Sequence, residues 1–161
     1  MTTEDATLES TLVLIKPDAT RRGLVGTILA RLEARGLIIR GIRSFMFTDE
    51  LVREHYAHLA GRSFFPDVAA FMKSGMTVAV WLSGVDAVAV VRSMVGATNA
   101  REALPGTIRG DLAVSTQRNL IHASDARDSA RVELARFFPD GPSAPEDPEA
   151  IGAVYSTAEV G

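Results

Sequence analysis

The sequence predicts an α+β fold, a plait of two strand–helix–strand halves with helices packed on one face of a four-stranded sheet. Three observations lead there. Four apolar runs rich in strand formers lie at residues 11–15, 37–47, 76–82 and 120–122, three of them closed by turn or cap residues. Helical stripes alternate with them, at 23–34 and 86–95, and a helical excursion fills the middle. Finally, 161 residues that are 47% apolar can bury one core, so one domain is the natural expectation. These patterns leave the order of the strands open.

Taken in order, residues 1–9 are polar and acidic and read as a flexible arm. Thr11 to Ile15 is a continuous run of strand formers, hence a buried strand, stopped by Lys16-Pro17. Val25, Ile28, Leu29 and Leu32 recur at helical spacing, and Gly36 supplies the stop. Strand 37–47 is followed by Thr48, a good N-cap for a helix over 49–59. That helix carries His55, Tyr56 and His58. Two histidines three apart could share a metal, but no further ligand pattern accompanies them, so both read as surface or packing side chains without a part in phosphate chemistry.

Phe64 and Phe65 precede Pro66, and a short helix is expected around 68–72; if the chain is extended there, only one ring can point inward. After strand 76–82, the helix 86–95 turns Val88 and Val91 inward, with Arg92 one position on. Residues 97–118 have weak periodicity, and loops of that length in a compact domain are often functional. The last strand ends at His122. Asp125 is positioned to cap a helix from 126 to 138, with Asp128 three residues on as in a capping box. Ala130, Leu134, Phe137 and Phe138 stripe that helix. Beyond it, 139–161 is rich in proline and acidic residues and reads as a flexible or surface-draped tail. The organisation expected is therefore an arm (1–9), a domain (10–138) and a tail (139–161).

Composition excludes several chemistries. With no cysteine there are no disulfides, zinc–thiolate sites or thiol catalysis. The N-terminus is unlike a signal peptide, and no apolar run could span a bilayer, so a cytoplasmic protein is expected. The net charge of −3 would not attract polyanions, and apart from Trp81 strands 11–15 and 76–82 lack the aromatics of an RNA-binding plait, which argues against nucleic acid as partner. P-loop, protein-kinase and dinucleotide-binding signatures are all missing. A phosphate-handling site would have to be built from side chains: Lys16, Arg62, Arg92 and Arg109, with the hydroxyls of Thr98 and Tyr56. His122, beside the amides of a helix start, would face the same anion; a neutral imidazole is a competent nucleophile, although a histidine hydrogen-bonded at a strand end is the plainer reading of that segment alone.

Three stretches, read together, go further. Thr11-Leu12-Val13-Leu14-Ile15-Lys16-Pro17-Asp18, the segment from Gly96-Ala97-Thr98-Asn99 through Pro105-Gly106-Thr107-Ile108-Arg109-Gly110-Asp111, and Asn119-Leu120-Ile121-His122-Ala123-Ser124-Asp125 closely resemble the nucleoside diphosphate kinase family. The likeness runs from about Ser10 to Phe138 without a large insertion. It implies a ferredoxin-like four-stranded antiparallel sheet covered by helices, and transfer of the γ-phosphoryl of a nucleoside triphosphate to a nucleoside diphosphate by a ping-pong route through phosphohistidine. By resemblance His122 is the nucleophile, Glu133 orients its ring, and Ser124 is the hydroxyl beside it. Lys16 and Asn119 match the groups on the ribose 3′-hydroxyl and nearby phosphate oxygen, and Tyr56 lies near the transferred phosphate. Arg92, Thr98 and Arg109 match phosphate contacts, while Phe64 and Val68 match the base-stacking side. Mg²⁺ is implied as cofactor, held mainly through the nucleotide's phosphates rather than by protein ligands, which suits the lack of a carboxylate cluster. The implied self-partner is a homotetramer or homohexamer.

Three positions depart from the family pattern. Ala123 stands where glycine is usual; if that position needs a positive φ, its Cβ strains the chain by roughly 1 kcal/mol. Asp128 replaces a glutamate, and Ala100 replaces a proline that helps subunit contacts in the family. None removes a catalytic group. A non-catalytic nucleotide-binding scaffold is the alternative function, and the joint presence of His122, Lys16, Arg92, Arg109 and Asn119 counts against it.

Overall fold

The computed structural model describes residues 8–160. Its strands are β1 (Leu8–Ile15), β2 (Ile38–Met46), β3 (Met76–Val85) and β4 (Ile121–Ala123). They form one antiparallel sheet in the order β2-β3-β1-β4. The helices are α1 (Pro17–Arg21), α2 (Val25–Ala34), α3 (Asp49–His55), α4 (Phe65–Lys73), α5 (Ala87–Val95), α6 (Ile108–Leu112), α7 (Arg127–Phe137), α8 (Pro148–Gly152) and α9 (Thr157–Val160). None is long and apolar enough to cross a membrane.

Helices cover both faces of the sheet, not one as expected. Val13 and Ile15 of β1 join Ile28 and Leu32 of α2 and Val91 and Val95 of α5 in one cluster. Leu12 and Leu14 pack on the opposite face with Val52, Met72, Leu134 and Phe137. The physical reason was already present in β1. Its residues Leu12 to Ile15 are all apolar and all fully buried, and a strand that alternates nothing cannot leave either side wet.

Other differences are local. The chain pairs from Leu8, matched to Val85, so Leu8 and Glu9 of the expected arm belong to β1, and residues 1–7 lie outside the described residues. Pro17 opens the short α1, as its fixed φ permits at a first helical position. The helix expected over 49–59 ends at His55 and continues as a 3-10 turn over Ala57–Leu59. Within 97–118 lies α6, capped by Thr107, whose hydroxyl accepts from the Gly110 amide at 3.0 Å. Gly96, at φ 86°, approaches that same threonine; a Cβ there would lie 2.5 Å from Thr107 Oγ1. The expected Asp125 cap does not form, because α7 begins one residue later and Ala126 takes the N-cap position.

The segment after α7 lies along the surface. Arg40 Nε donates to Ala144 O at 2.8 Å, the Ala144 amide returns a bond to Arg40 O at 3.0 Å, and Glu146 pairs with the same guanidinium at 3.4 Å. Farther on, the Val85 amide donates to the Tyr155 hydroxyl at 3.0 Å. Removing that acceptor in Tyr155→Phe should lower the unfolding free energy by about 1 kcal/mol, measured by urea denaturation. An unchanged midpoint would show that this contact contributes nothing to stability.

Candidate active site

β1 delivers Lys16 to the edge of the core, and α1 starts immediately after it. Lys16 is only 9% exposed; its ammonium donates to Asn119 Oδ1 at 2.6 Å and to Gln117 O at 3.1 Å, and it lies 5.5 Å from the centre of the Phe71 ring. Burial lowers its pKa to about 8, with Arg109 adding to the shift and Asp18 opposing it. Asn119 in turn donates through Nδ2 to Thr98 O at 2.9 Å, tying the two ends of the 97–118 segment together.

Between Asn119 and β4 the backbone makes a turn that L-residues avoid. Leu120 has φ 73° and is fully buried. This is why β4 begins at Ile121 rather than at 120. Three contacts hold the kink. The Leu120 amide donates to Asp18 Oδ2 at 3.0 Å, and Leu120 O accepts from the Lys16 amide at 2.9 Å. Arg109 of α6 spans both sides, with Nε to Asn119 O at 3.2 Å and Nη2 to Ile121 O at 2.6 Å, while Nη1 reaches Gly96 O at 3.1 Å. Those bonds use three of the five guanidinium N–H groups and leave two for a ligand. Burial first, then the charge of Arg92, pulls the Arg109 pKa down to about 10.

His122 pairs with Leu14 across β1–β4 and is partly exposed. Its Nε2 lies 3.2 and 3.1 Å from the two carboxylate oxygens of Glu133 on α7, and Ser124 Oγ donates to Glu133 Oε2 at 2.6 Å. Burial disfavours the Glu133 carboxylate, but the bonds from His122 and Ser124 and the charges of His122 and His55 outweigh it and hold the group below its ordinary value. An ionised Glu133 selects the tautomer with its proton on Nε2. The Nδ1 lone pair of His122 is then available, with no hydrogen-bond partner among the described residues. Ala123 does not have the positive φ that its usual glycine would permit; the strain falls on Leu120 instead.

Two hollows meet at Lys16, Tyr56 and Thr98. One, of about 440 Å³, is polar and includes Arg92, Arg109, Asn119, His122 and Glu133. The other, of about 790 Å³, runs between Phe64, Val68, Phe71 and Arg118. Phe64 is 42% exposed, whereas Phe65 packs on the core. Burial, with Glu133 second, pushes the Tyr56 hydroxyl well above its usual range, so it is a neutral hydrogen-bonding group. Arg92 is exposed and reaches towards Ala123 O at 3.5 Å. Arg62 is also exposed but lines neither hollow.

His55 corrects the sequence reading. It is a packing histidine, as allowed for, but its ring lies edge-on to His122 with centres 5.0 Å apart, and Arg136 Nη1 donates to its Nδ1 at 3.1 Å. Nothing at helical or strand spacing links residues 55 and 122, so no local pattern could have revealed the contact. Asp18 was likewise missed; an acid directly after a buried strand was the available signal. His55, His122 and Glu133 bring ligand atoms within 4.8 Å of one another. Two of the three are already engaged: His55 accepts from Arg136 at Nδ1 and so carries its proton on Nε2, and Glu133 accepts from His122 and Ser124, which leaves His122 Nδ1 as the one open lone pair of the two imidazoles. The set therefore does not fit a resident transition metal, and one carboxylate is too little oxygen for a protein-held Mg²⁺.

A family model described as nucleoside diphosphate kinase matches residues 9–142. A nucleoside diphosphate kinase of Parabacteroides distasonis is 46% identical over 133 residues, spanning 83% of this chain and 87% of the relative. One from Methanosarcina acetivorans is 44% identical over 133 residues, 83% of this chain and 89% of the relative. Among solved structures, a halophilic nucleoside diphosphate kinase from Halobacterium salinarum in complex with CDP superposes with a TM-score of 0.87 at 41% identity, covering 92% of this chain and 99% of the other. That of Encephalitozoon cuniculi gives 0.79 at 39% identity, over 81% and 88%.

Burial, together with the charges of His122 and Arg136, lowers the His55 pKa from 6.5 to about 3. The folded state thus binds fewer protons than the unfolded state between those values. The stability this residue contributes is present above pH 6.5 and lost as pH falls towards 3. Urea unfolding between pH 7 and 5 should therefore show stability falling with pH, and His55→Gln should flatten that slope by up to about 1.4 kcal/mol per pH unit. Parallel slopes would mean that His55 charges freely in the fold.

Proposed function

The chain belongs to the nucleoside diphosphate kinase family, and on that premise we propose the part each residue plays. The enzyme transfers the γ-phosphoryl of a nucleoside triphosphate to a nucleoside diphosphate. We assign the covalent carrier to His122. The observation that carries the assignment is the Ser124–Glu133–His122 chain, which occupies Nε2 and leaves Nδ1 free beside a basic hollow.

In the first half-reaction the Nδ1 lone pair forms an N–P bond as the bond from the γ-phosphorus to the β–γ bridging oxygen breaks. The diphosphate leaves with the electron pair. The ring becomes cationic, stabilised by Glu133 at Nε2. The second half-reaction runs the same steps in reverse with a new diphosphate. Arg92, Arg109 and Thr98 hold phosphate oxygens, and their fixed charges and dipoles supply most of what phosphoryl transfer requires. Lys16 and Asn119, already bonded to each other, meet the ribose hydroxyl and a phosphate oxygen. Tyr56, neutral and half-buried, donates near the transferred group. Mg²⁺ would be held mainly through the nucleotide's own phosphates rather than by protein carboxylates, and would supply charge neutralisation there. Phe64 and Val68 form the slot for the base, which Asp67 and Arg118 also line, and stacking on the ring is the contact we assign to the base.

The same reading extends to assembly and location. Leu104 and Val114 of the 97–118 segment are 73% and 81% exposed, apolar surface that supports a homotetramer or homohexamer. Ala100 is buried in this chain's own core, so the lost proline would act on the loop's rigidity rather than by direct contact. Nucleotide substrates support a cytoplasmic location for the proposed activity.

Three outcomes are expected. Incubation with γ-labelled ATP should label the protein without acceptor. The label should be lost in mild acid, persist in base, and be absent from His122→Ala. Glu133→Ala should form it at least about tenfold more slowly, ~1.4 kcal/mol of barrier; acid-stable label would move the chemistry elsewhere. Rates with adenine, guanine and pyrimidine diphosphates should agree within about tenfold, because stacking reads a π-face common to all bases; a thousandfold preference would reveal a missed readout. Light scattering should find four or six subunits, and a fully active monomer would refute the assembly.

A further inference from the structure

Asp18 takes no part in the chemistry just assigned, yet it is buried and binds the residue two before the nucleophile. Its Oδ2 accepts the Leu120 amide, and its Oδ1 is buried with no partner. The Leu120 carbonyl, in turn, receives the Lys16 amide. One carboxylate therefore sits under both functional segments, the end of β1 and the start of β4. A neutral acceptor would satisfy the amide equally well. A second carboxylate oxygen left unpaired in the interior needs another compensation, and the positive groups nearby supply it.

We propose that Asp18 is a positioning residue for phosphoryl transfer: it holds the left-handed turn at Leu120 that aims His122, and it sets a negative charge beside the buried Lys16. This rests on the assignment of His122 as carrier. The first role follows from geometry. Without an acceptor for its amide, a buried leucine at φ 73° relaxes towards negative φ and rotates the short β4 against β1. The second follows from the charges acting on Lys16, Asp18 of α1 and Arg109 of α6, in a hollow that Tyr56, Arg92 of α5, His122 of β4 and Glu133 of α7 also line. Burial and Arg109 draw the Lys16 pKa down to about 8, and Asp18 is the group that opposes them.

The two roles separate in two variants. Asp18→Asn keeps an oxygen that accepts the Leu120 amide but removes the charge, and Asp18→Ala removes both. The reading is the second-order rate constant for phosphoenzyme formation with ATP, followed from pH 6 to 10, because its limbs report groups of the free enzyme. Wild type should lose activity on an alkaline limb near pH 8. Loss of the negative charge lowers the Lys16 pKa, so Asp18→Asn should move that limb to lower pH by on the order of one unit. Asp18→Ala should show the same displacement and a further loss of at least about tenfold at pH 7. An unmoved limb with equal losses in both variants overturns the proposal and leaves Asp18 a fold stabiliser.

If Asp18→Asn does not fold, the Leu120 amide of the wild-type chain is followed by NMR on acidification. A shift as the carboxylate is neutralised supports the bond's charged character, and a static signal overturns it. Failure of the carrier assignment is read separately, as wild-type label that is stable to acid or survives in His122→Ala.

Discussion

The left-handed turn at Leu120 is the constraint on which the site depends. A non-glycine residue at φ 73° costs on the order of 1–2 kcal/mol, and this one is a fully buried leucine that would otherwise extend β4 by one residue. The strain persists because the surroundings over-determine it. Asp18 takes its amide, the Lys16 amide takes its carbonyl, and Arg109 bonds the carbonyls on either side. Each of these groups comes from a different element: α1, the end of β1, and α6. The turn thus ties together the Lys16–Asp18 stretch, α6 and the start of β4, and the next two residues place His122 opposite Leu14.

The electrostatics follow from burying that clamp. Lys16 and Arg109 are both nearly covered, and burial lowers the pKa of each, with Arg109 adding to the shift at Lys16. Cations held this way are uncomfortable without a counter-charge. Asp18 offsets part of the deficit, and a polyphosphate would offset the rest. A chain with net charge −3 can attract an anion in this way, because the attraction is local and shielded from solvent, not a property of the surface as a whole. Glu133 holds the His122 ring through Nε2 and lines the same hollow as Arg92 and Arg109.

Around this centre the two-sided sheet supplies rigidity. β1 is the inner strand that pairs with both β3 and β4, and its ends carry Glu9 and Lys16 to opposite edges. The α3–α4 excursion covers the face away from α2 and α5, and it brings His55, Tyr56 and Phe64 over the site. Without that excursion the larger hollow would lack the wall formed by Phe64, Val68 and Phe71.

Much of this was legible in the sequence because it is local. Continuous apolar runs gave the strands, helical stripes gave α2, α5 and α7, and the Lys-Pro-Asp and Asn-x-x-His segments marked the ends at which side chains converge. An extended chain at Phe64-Phe65 would turn one ring inward, and the resemblance chose Phe64 for the outer face; the chain there instead enters α4, with Phe64 at its N-cap. What the sequence misplaced was tertiary in origin. The second helical layer depends on which face each strand presents. The capping role given to Asp125 failed because α7 starts where β4 releases it, one residue later. The loop 97–118 hid α6, whose short helix is held by Arg109 and Thr107 rather than by periodicity. Most plainly, the contacts of His55 with His122 and of Asp18 with Leu120 join residues 67 and 102 positions apart. No spacing rule reaches that far; sequence alone determined which chemical groups were available, and only the folded sheet decided which of them touch.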